Sequence, residues 1–350
     1  MSKVDLDYSL DDKYLFDEGR VFLSGTQALV KLPLIQKKND ELNNLNTAGF
    51  ISGYPGSPLG GYDHALHQAS NFLKDKQIVF QPGINEDLAA TALHGTQQTT
   101  LVDNPKHDGV FGIWFGKGPG VDRSGDALKH GNYAGSSKHG GVLALAGDDH
   151  AAKSSTTAHQ SDHAFIHFGM PILNPATVQD YIDFGLMGIA MSRYSGCWIG
   201  MKCITDTVES AASVDIGLKR FNPVLPDISD EEGELHLQWG YMPAMSESRL
   251  YKQRLPAAQA FARANSIDRV IFQGQKKLAI VTSGKAYLDV RQSLDELGLS
   301  EKLCSKIGIS LYKVGMVWPL EPKNISNFVN GNEEVLVIDC LLYTSPSPRD

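Results

Sequence analysis

The stretch Glu86-Asp-Leu-Ala-Ala-Thr-Ala-Leu-His-Gly95 lies about thirty residues after the turn Gly53-Tyr-Pro-Gly-Ser-Pro58. Its small residues and acidic start predict a helix that begins at Glu86, while the turn predicts a tight loop after a strand. Unpaired backbone N–H groups and the positive end of the helix dipole favour an ionised carboxylate, whereas burial favours the neutral acid. Two roles for Glu86 stay open: sharing a proton with a ring nitrogen of a ligand, and capping the helix beside Asn85.

The chain around these motifs alternates short apolar runs with helical patterns, which predicts βα units. Strands are predicted at residues 49–52, 78–81, 110–115, 141–146 and 197–204, and helices at 25–36, 62–74, 86–102 and 176–194. This alternation is typical of an α/β fold with a doubly wound, mostly parallel sheet, which we place at residues 21–215 after an N-terminal arm of residues 1–20. Glycine-rich and polar loops at 53–61, 116–125 and 147–157 follow three of the strands, so we expect a ligand pocket at that edge of the sheet.

The second half of the chain predicts a connection and a further α/β unit. Residues 216–275 have weaker periodicity and more charge, which indicates a connecting segment with a helix near residues 257–266. From residue 276 the βα pattern returns, with strands at 278–282 and 308–314 around a helix at 287–297. We interpret residues 276–339 as a second α/β domain that is truncated after its third strand, and we expect it to leave apolar surface uncovered.

Neither end of the sequence predicts a folded element. The first residues are acidic and lack the apolar segment and cleavage site of a secretory signal. Residues 340–350, Cys-Leu-Leu-Tyr-Thr-Ser-Pro-Ser-Pro-Arg-Asp, look like the in-frame translation of a sequencing adapter. On that interpretation the natural sequence stops at Asp339 and the chain is an N-terminal fragment of a larger protein. A genuine Ser/Pro-rich tail is the alternative.

Composition excludes several classes of function. A net charge of -8 and a pI near 5.8 argue against nonspecific binding to nucleic acid or to anionic membranes, because both need a basic face. The longest apolar stretch, residues 184–191, is far shorter than the roughly twenty residues of a membrane-spanning helix. The four cysteines form neither a C-x-x-C pair nor an iron–sulfur run, which predicts a reducing, cytoplasmic location.

Several motifs, in order and spacing, resemble one enzyme family. Tyr54-Pro-Gly-Ser-Pro58 after a strand, followed by Asn85-Glu86 and its alanine-rich helix, is similar to the pyrimidine-binding domain of 2-oxoacid:ferredoxin oxidoreductases. The run Gly116-Lys-Gly-Pro-Gly-Val-Asp-Arg-Ser-Gly-Asp126, with Gly147-Asp-Asp-His150 and Lys153-Ser-Ser-Thr-Thr-Ala-His-Gln-Ser161, resembles the fused indolepyruvate:ferredoxin oxidoreductases in particular. Residues 276–339 resemble the transketolase C-terminal-like domain of the same family. The resemblance covers about residues 20 to 339.

The resemblance implies a thiamine diphosphate-dependent enzyme. Its members decarboxylate indolepyruvate or a related aryl 2-oxoacid oxidatively to an acyl-CoA and pass electrons to ferredoxin. It implies that Glu86 is catalytic because it bonds the aminopyrimidine of the cofactor, and that Tyr54, Pro55, Gly56 and Ser57 also contact the cofactor. Ser57 is further expected to contact the substrate, with an ordinary turn serine as the alternative. Mg²⁺ and 4Fe-4S clusters are expected in a missing diphosphate-binding domain or a partner, and coenzyme A is expected as co-substrate.

Two cations lie on the glycine-rich run. Gly116-Lys117-Gly118 lacks the Ser or Thr of a phosphate loop, and its spacing also misses G-x-G-x-x-G, so both nucleotide motifs are rejected. Lys117 and Arg123 are candidates to bind the carboxylate of the substrate or to organise a neighbouring domain. The alternative is a solvent loop with a surface pair between Asp122 and Arg123.

Six histidines fall between residues 130 and 167, and His159, His163 and His167 would share one face of a helix if that segment is helical. A zinc site is the competing hypothesis, but no nearby cysteine or H-E-x-x-H pattern supports it, so no metal ligand is assigned. The resemblance instead implies a polar wall of the substrate pocket. This wall comprises Asp148, Asp149, His150, Lys153, Ser154, Ser155 and His159. Structural roles stay open for His163 and His167.

Two other classes of function are kept as alternatives: a nonoxidative thiamine-dependent decarboxylase or transketolase, and a noncatalytic Rossmann-like binding module. The expected partners are a small 2-oxoacid, ferredoxin, the missing diphosphate-binding domain of the same chain and further copies in a homo-oligomer. Nucleic acid and membranes are not expected partners. The isolated fragment is expected to be inactive. Neither the identity of the 2-oxoacid nor the oligomeric state follows from the sequence.

Overall fold

The structure is a computed structural model that describes residues 9–152, 157–227, 235–238, 240 and 243–339, with only the backbone at 243 and 244. Within these ranges, the strands form one sheet of seven, one of four and one of two. No helix in the described part of the chain has both the length and the apolar character to span a bilayer.

The strands are numbered in chain order. They are β1 Arg20–Ser24, β2 Thr47–Gly53, β3 Ile78–Phe80, β4 Gly109–Lys117, β5 Val142–Asp148, β6 Ile172–Leu173, β7 Ile199–Ile204, β8 Ala211–Asp215, β9 Arg269–Phe272, β10 Leu278–Ser283, β11 Ile309–Val314, β12 Met316–Trp318 and β13 Glu334–Ile338.

The α-helices are numbered in the same way. They are α1 Asp12–Leu15, α2 Gly25–Leu42, α3 Gly60–Gln68, α4 Ser70–Asp75, α5 Glu86–Gln97, α6 Gly118–Arg123, α7 Gly125–Ala134, α8 Asp162–Phe168, α9 Val178–Ser195, α10 Thr205–Val208, α11 Pro243–Arg249, α12 Leu255–Ala264, α13 Gly284–Glu296, α14 Glu301–Ile307 and α15 Pro322–Val329. A π-helical turn, Leu250–Arg254, joins α11 to α12.

The seven-stranded sheet has the order β12-β6-β7-β5-β4-β2-β3. All its neighbouring strands are parallel except β12, which runs antiparallel to β6. One face packs on α2, α3, α9 and α12, and the other packs on α5, α6, α7 and α8. The predicted α/β class with a doubly wound, mostly parallel sheet is therefore confirmed. Because the strands are parallel, β2, β4, β5 and β7 end at the same edge.

The four-stranded sheet has the order β13-β10-β11-β9. Strand β10 is parallel to β11 and β13, and β9 is antiparallel to β11. Residues of α13 and α14 pack on one face, and residues of α15 pack on the other. The edge strand β13 exposes three consecutive apolar side chains, Val335, Leu336 and Val337, at 49%, 46% and 68%. This edge is the uncovered apolar surface that the sequence predicts for the second α/β unit.

One strand and two ion pairs join the seven-stranded sheet to the four-stranded sheet. Strand β12 follows β11 in sequence but adds to the edge of the seven-stranded sheet, beside β6. Lys313 of β11 forms a buried ion pair with Asp180 of α9, at 2.6 Å between Nζ and Oδ2. Arg263 of α12 bonds the buried carboxylate of Glu321 at 2.5 Å. The connections across this boundary are thus a strand, a buried ion pair and a partly buried ion pair.

Several predicted element bounds were wrong. The helix predicted at residues 62–74 is interrupted at Ala69, so that it forms α3 and α4. Helix α2 continues past residue 36 to Leu42 with Pro33 inside it, because its outer residues are also buried by neighbouring elements. Helix α5 ends at Gln97, whose amide Nε2 donates to the Val110 carbonyl of β4 at 2.9 Å. The predicted connection at 216–275 contains β9, which belongs to the second sheet.

Candidate functional site

The turn at the end of β2 lies against the ends of β4 and of the segment before α5. The Tyr54 N–H donates to the Phe115 carbonyl at 3.1 Å, and the Gly83 N–H donates to the Gly53 carbonyl at 2.8 Å. The Cα of Gly56 lies so close to the Lys117 side chain that a Cβ there would be 2.8 Å from its Cδ. The turn is therefore packed beside β4, with Ser57 half-buried and the Tyr54 side chain 42% exposed.

Glu86 begins α5 but does not cap it. The cap is Asn85, whose Oδ1 accepts a hydrogen bond from the Leu88 N–H at 2.8 Å. The Glu86 carbonyl accepts a hydrogen bond from Trp114 Nε1 at 2.9 Å, which fixes the first turn of α5 against β4. Glu86 as a whole is only 6% exposed.

The Glu86 carboxylate rests on a glycine surface. A Cβ built on Gly120 would lie 2.5 Å from Oε1, and a Cβ on Gly116 would lie 3.2 Å from Cγ of Glu86. Among the residues that the structure describes, no side chain or backbone N–H donates a hydrogen bond to this carboxylate. The Glu86 oxygens are not among the fully buried unpaired atoms of the described residues, so this carboxylate is an acceptor that a ligand can reach.

His159 lies on the opposite side of the same run of residues. A Cβ on Gly118 would overlap its ring. Its Nε2 is 2.8 Å from Oδ2 of Asp122, and its Nδ1 is 3.9 Å from Oδ1 of the fully buried Asp148. The latter separation exceeds a hydrogen bond, so we regard it as a charge attraction. Asp148, and next Asp122, raise the pKa of His159, while burial opposes them.

The carboxylate of Asp148 is held within the fold. It accepts hydrogen bonds from the Ser161 N–H at 2.9 Å and from the Ser161 hydroxyl at 2.7 Å. Asp149 is buried and its carbonyl accepts from the His159 N–H at 3.3 Å. The ring Nδ1 of His150 lies 3.1 Å from the His159 carbonyl. The structure thus brings Asp148, Asp149, His150 and His159 together at the end of β5.

The remaining predicted site residues are placed as follows. Lys117 is half-buried at the end of β4, and Arg123 is exposed at the end of α6. Asp122 pairs with His159 and not with Arg123. Lys153, Ser154 and Ser155 lie outside the described residues.

The histidines of α8 are exposed. His163 and His167 lie on this seven-residue helix, and the His167 ring packs on Phe168 at 5.8 Å between centroids. His159 precedes the helix and does not belong to it, so the condition for one helical face shared by the three histidines is not met. Within the described ranges, no group of three His, Cys, Asp or Glu side chains is arranged to hold a metal ion.

Sequence reasoning missed three residues of this site. Trp114 fixes the first turn of α5, Gly120 accommodates the Glu86 carboxylate, and Ser161 holds Asp148. The alternating glycines 116, 118 and 120 were visible, but their spacing was considered only for phosphate binding. Each of them admits a neighbouring side chain instead.

Comparison with known proteins shows what this chain is similar to. Residues 268–341 match the family model of the indolepyruvate ferredoxin oxidoreductase middle domain. Indolepyruvate oxidoreductase subunit IorA of Methanothermobacter marburgensis is 22% identical over 338 residues, which cover 94% of this chain and 48% of that protein. IorA of Archaeoglobus fulgidus is 21% identical over 296 residues, covering 83% and 43%. The chain thus spans about half the length of the curated relatives that it matches.

A solved structure shares the fold. The 2-oxoglutarate:ferredoxin oxidoreductase from Magnetococcus marinus, with 2-oxoglutarate, coenzyme A and succinyl-CoA bound, aligns with a TM-score of 0.65 and 14% identity. The alignment covers 91% of this chain and 58% of that one. The recognised similarity of this chain to the indolepyruvate:ferredoxin oxidoreductases is therefore confirmed, on a family model, curated relatives and a shared fold.

Proposed function

We propose that this chain supplies the pyrimidine-binding part of a thiamine diphosphate site in a cytoplasmic 2-oxoacid:ferredoxin oxidoreductase, with indolepyruvate or a related aryl 2-oxoacid as substrate. The observation that carries the proposal is the Glu86 carboxylate, which is buried, lacks a donor among the described residues and lies at the edge where the parallel strands end. A carboxylate in this position suits the protonated ring nitrogen of an aminopyrimidine.

The surroundings of Glu86 fit a cofactor that is held between this surface and another domain. Tyr54, Ile84 and Leu88 are 42%, 84% and 48% exposed around the start of α5. Exposed apolar side chains grouped beside a buried carboxylate are typical of a surface that a ring or a second domain covers. The turn residues Tyr54 to Ser57 are proposed to contact the cofactor, and Ser57 also the substrate.

Thiamine diphosphate, when bound, supplies a nucleophilic carbon and an electron sink for the decarboxylation of a 2-oxoacid. Glu86 is proposed to hold a proton at the pyrimidine nitrogen, since its carboxylate lies at the first turn of α5 and has no donor among the described residues. Lys117, beside Gly56, is proposed to orient the carboxylate of the substrate, with Arg123 at the rim. Trp114 keeps α5 in place from beneath.

The remaining components are proposed to lie outside the described residues. Mg²⁺, the 4Fe-4S clusters and the diphosphate-binding domain belong, on this proposal, to the rest of the protein or to a partner. Coenzyme A serves as co-substrate, ferredoxin receives the electrons, and the assembly is a homo-oligomer. Asp148, Asp149, His150 and the residues Lys153, Ser154, Ser155 and His159 are proposed to form the wall behind the substrate.

The proposal is tested by Glu86→Gln in the complete oxidoreductase with its partners. Loss of the acid should lower kcat by about 100-fold or more, in the range for general acid–base groups. Asp87→Asn is the matched control, because Asp87 is the next residue of the same helix turn and is only half-buried. Retention of wild-type kcat by Glu86→Gln, with indolepyruvate and ferredoxin present, would overturn the assignment.

A further inference from the structure

Helix α6 is held between two ionisable side chains. On one side, Gly120 forms the surface on which the Glu86 carboxylate rests, with 2.5 Å between Oε1 and a Cβ placed on that glycine. On the other side, Gly118 lies under the His159 ring, where a Cβ would overlap the imidazole. The two glycines are separated by one residue, so a movement of α6 by a fraction of an ångström changes the contact on both sides.

His159 is itself fixed to α6 and to β5. Its Nε2 bonds Asp122 of α6 at 2.8 Å, and its Nδ1 faces Asp148 of β5 at 3.9 Å. Asp148 cannot follow a displaced ring, because both its oxygens accept hydrogen bonds from Ser161. His150 is the other titratable group in contact, and it approaches the His159 carbonyl, not the ring. The imidazole therefore ties a short helix to the end of a central, fully buried strand.

We propose that His159 is a positioning residue for Glu86. Its ring holds α6 through Asp122 and Gly118 and so keeps Gly120 against the Glu86 carboxylate. We call this arrangement the clamp. The inference rests on the proposed function only in that Glu86 is the group being positioned. The Nε2 of His159 bonds Asp122 and its Nδ1 faces Asp148, so the ring acts on Glu86 through α6. On this proposal, Gly118 and Gly120 of the glycine-rich run separate the two ionisable groups, Glu86 and His159.

If the clamp exists, the environment of the Glu86 carboxylate depends on whether His159 is protonated. A neutral ring loses its attraction to Asp148 and Asp122, so the hold on α6 weakens as pH rises through the pKa of His159. The environment of the Glu86 carboxylate should change at that same pH. A merely structural His159 would support the fold without this correlation.

The test is a pH titration of the 350-residue chain labelled with [5-¹³C]glutamate, followed by ¹³C NMR. The Glu86 resonance is assigned by its loss in Glu86→Gln, and the His159 ring proton by its loss in His159→Gln. We expect the Glu86 resonance to show an inflection at the pH at which His159 titrates. That inflection should be absent in His159→Gln.

Asp122→Asn keeps the test decisive if His159→Gln fails to fold, because Asp122 is 61% exposed. Since Asp122 raises the pKa of His159, its loss should move both the His159 titration and the Glu86 inflection to lower pH. Asp126→Asn is the control, because Asp126 pairs with a different, exposed histidine, His130, on α7. It should leave both curves unchanged.

A Glu86 resonance that shows no inflection where His159 titrates, and does not respond to Asp122→Asn, would overturn the clamp. The experiment contains no cofactor and no turnover. Its failure would therefore leave the proposed function standing, whereas the failure of the function is judged by the turnover of Glu86→Gln in the complete enzyme.

Discussion

At the scale of single residues, the absence of a Cβ at Gly120 allows Glu86 to be buried. The carboxylate occupies the space that a larger residue 120 would fill, and Asn85 takes over the capping of α5. The alternative in which Glu86 only caps its helix finds no contact in the structure. Glu86 is only 6% exposed as a whole, yet its carboxylate oxygens are not among the fully buried unpaired atoms of the described residues, so a ligand can reach them.

Stability should depend on pH through His159. Its pKa is raised in the folded state, so the protonated ring stabilises the fold below its ordinary pKa near 6.5, and this contribution is lost as pH rises through the raised value. His159→Gln should lower the free energy of unfolding by about 1.5–3 kcal/mol at pH 6, the range of a hydrogen bond to a charged group. The difference from wild type should shrink toward pH 8.

Urea unfolding of wild type and variant across this pH range measures the effect. His130→Gln is the control, because His130 and Asp126 are exposed at 72% and 89%, and it should change the unfolding free energy by less than about 0.5 kcal/mol. A His159→Gln deficit that is the same at pH 6 and pH 8 would contradict the assigned direction of the pKa shift.

At the scale of elements, a buried arginine holds the C-terminal end of α7. Arg254, in the π-helical turn before α12, is 1% exposed and donates to the carbonyls of Asn132, Tyr133 and Ala134 at 3.0–3.2 Å. It also bonds the Leu235 carbonyl at 2.6 Å. The carbonyls of residues 132–134 are the last of α7, and the last carbonyls of a helix have no partner within it. The segment predicted as a connection thus supports the helix that follows α6.

Arg254→Met should destabilise the chain by about 3 kcal/mol, because four carbonyls lose their donor while the packing volume is nearly kept. Guanidinium unfolding monitored by circular dichroism is the measurement. Lys252→Met, two residues away and exposed, serves as the control and should stay close to wild type. An Arg254→Met variant as stable as the control would show that the arginine is not a structural cap.

The sequence predicted the strands and helices of the seven-stranded sheet better than the side-chain contacts between them. The strand periods and the loops after them were sufficient to predict the parallel sheet, and the edge of the candidate site stays a prediction. The role of Arg254 was not visible, because no local pattern relates it to carbonyls about 120 residues earlier. The same holds for Trp114 and Ser161, whose functions depend on which side chains the fold places opposite them.

At the scale of the whole molecule, the two α/β units are joined through one buried charge pair. Lys313 is 6% exposed and Asp180 8% exposed at the side chain, and the ammonium also lies over the rings of Phe184 and Tyr287 at 5.4 and 5.1 Å. Asp180 additionally caps α9 with Thr177. Because β12 crosses to the other sheet just after Lys313, this pair fixes how the second unit meets the first.

Lys313→Met should lower the unfolding free energy by about 3–5 kcal/mol, since it leaves the buried Asp180 without its cation. Lys285→Met removes an exposed pair with Asp289 in the same unit and should cost less than about 1 kcal/mol. Chemical unfolding of both variants measures the two losses of unfolding free energy. Equal losses for the two substitutions would mean that the interface does not depend on the buried pair.

The central claim is that Glu86 controls a proton on the pyrimidine of thiamine diphosphate. The most direct measurement is the rate at which the C2 proton of the bound cofactor exchanges with D₂O, determined by quenched-flow NMR in the complete oxidoreductase. We expect Glu86→Gln to slow this exchange by about 100-fold or more relative to wild type and to Asp87→Asn. An exchange rate in Glu86→Gln equal to that of the wild-type enzyme would contradict the account.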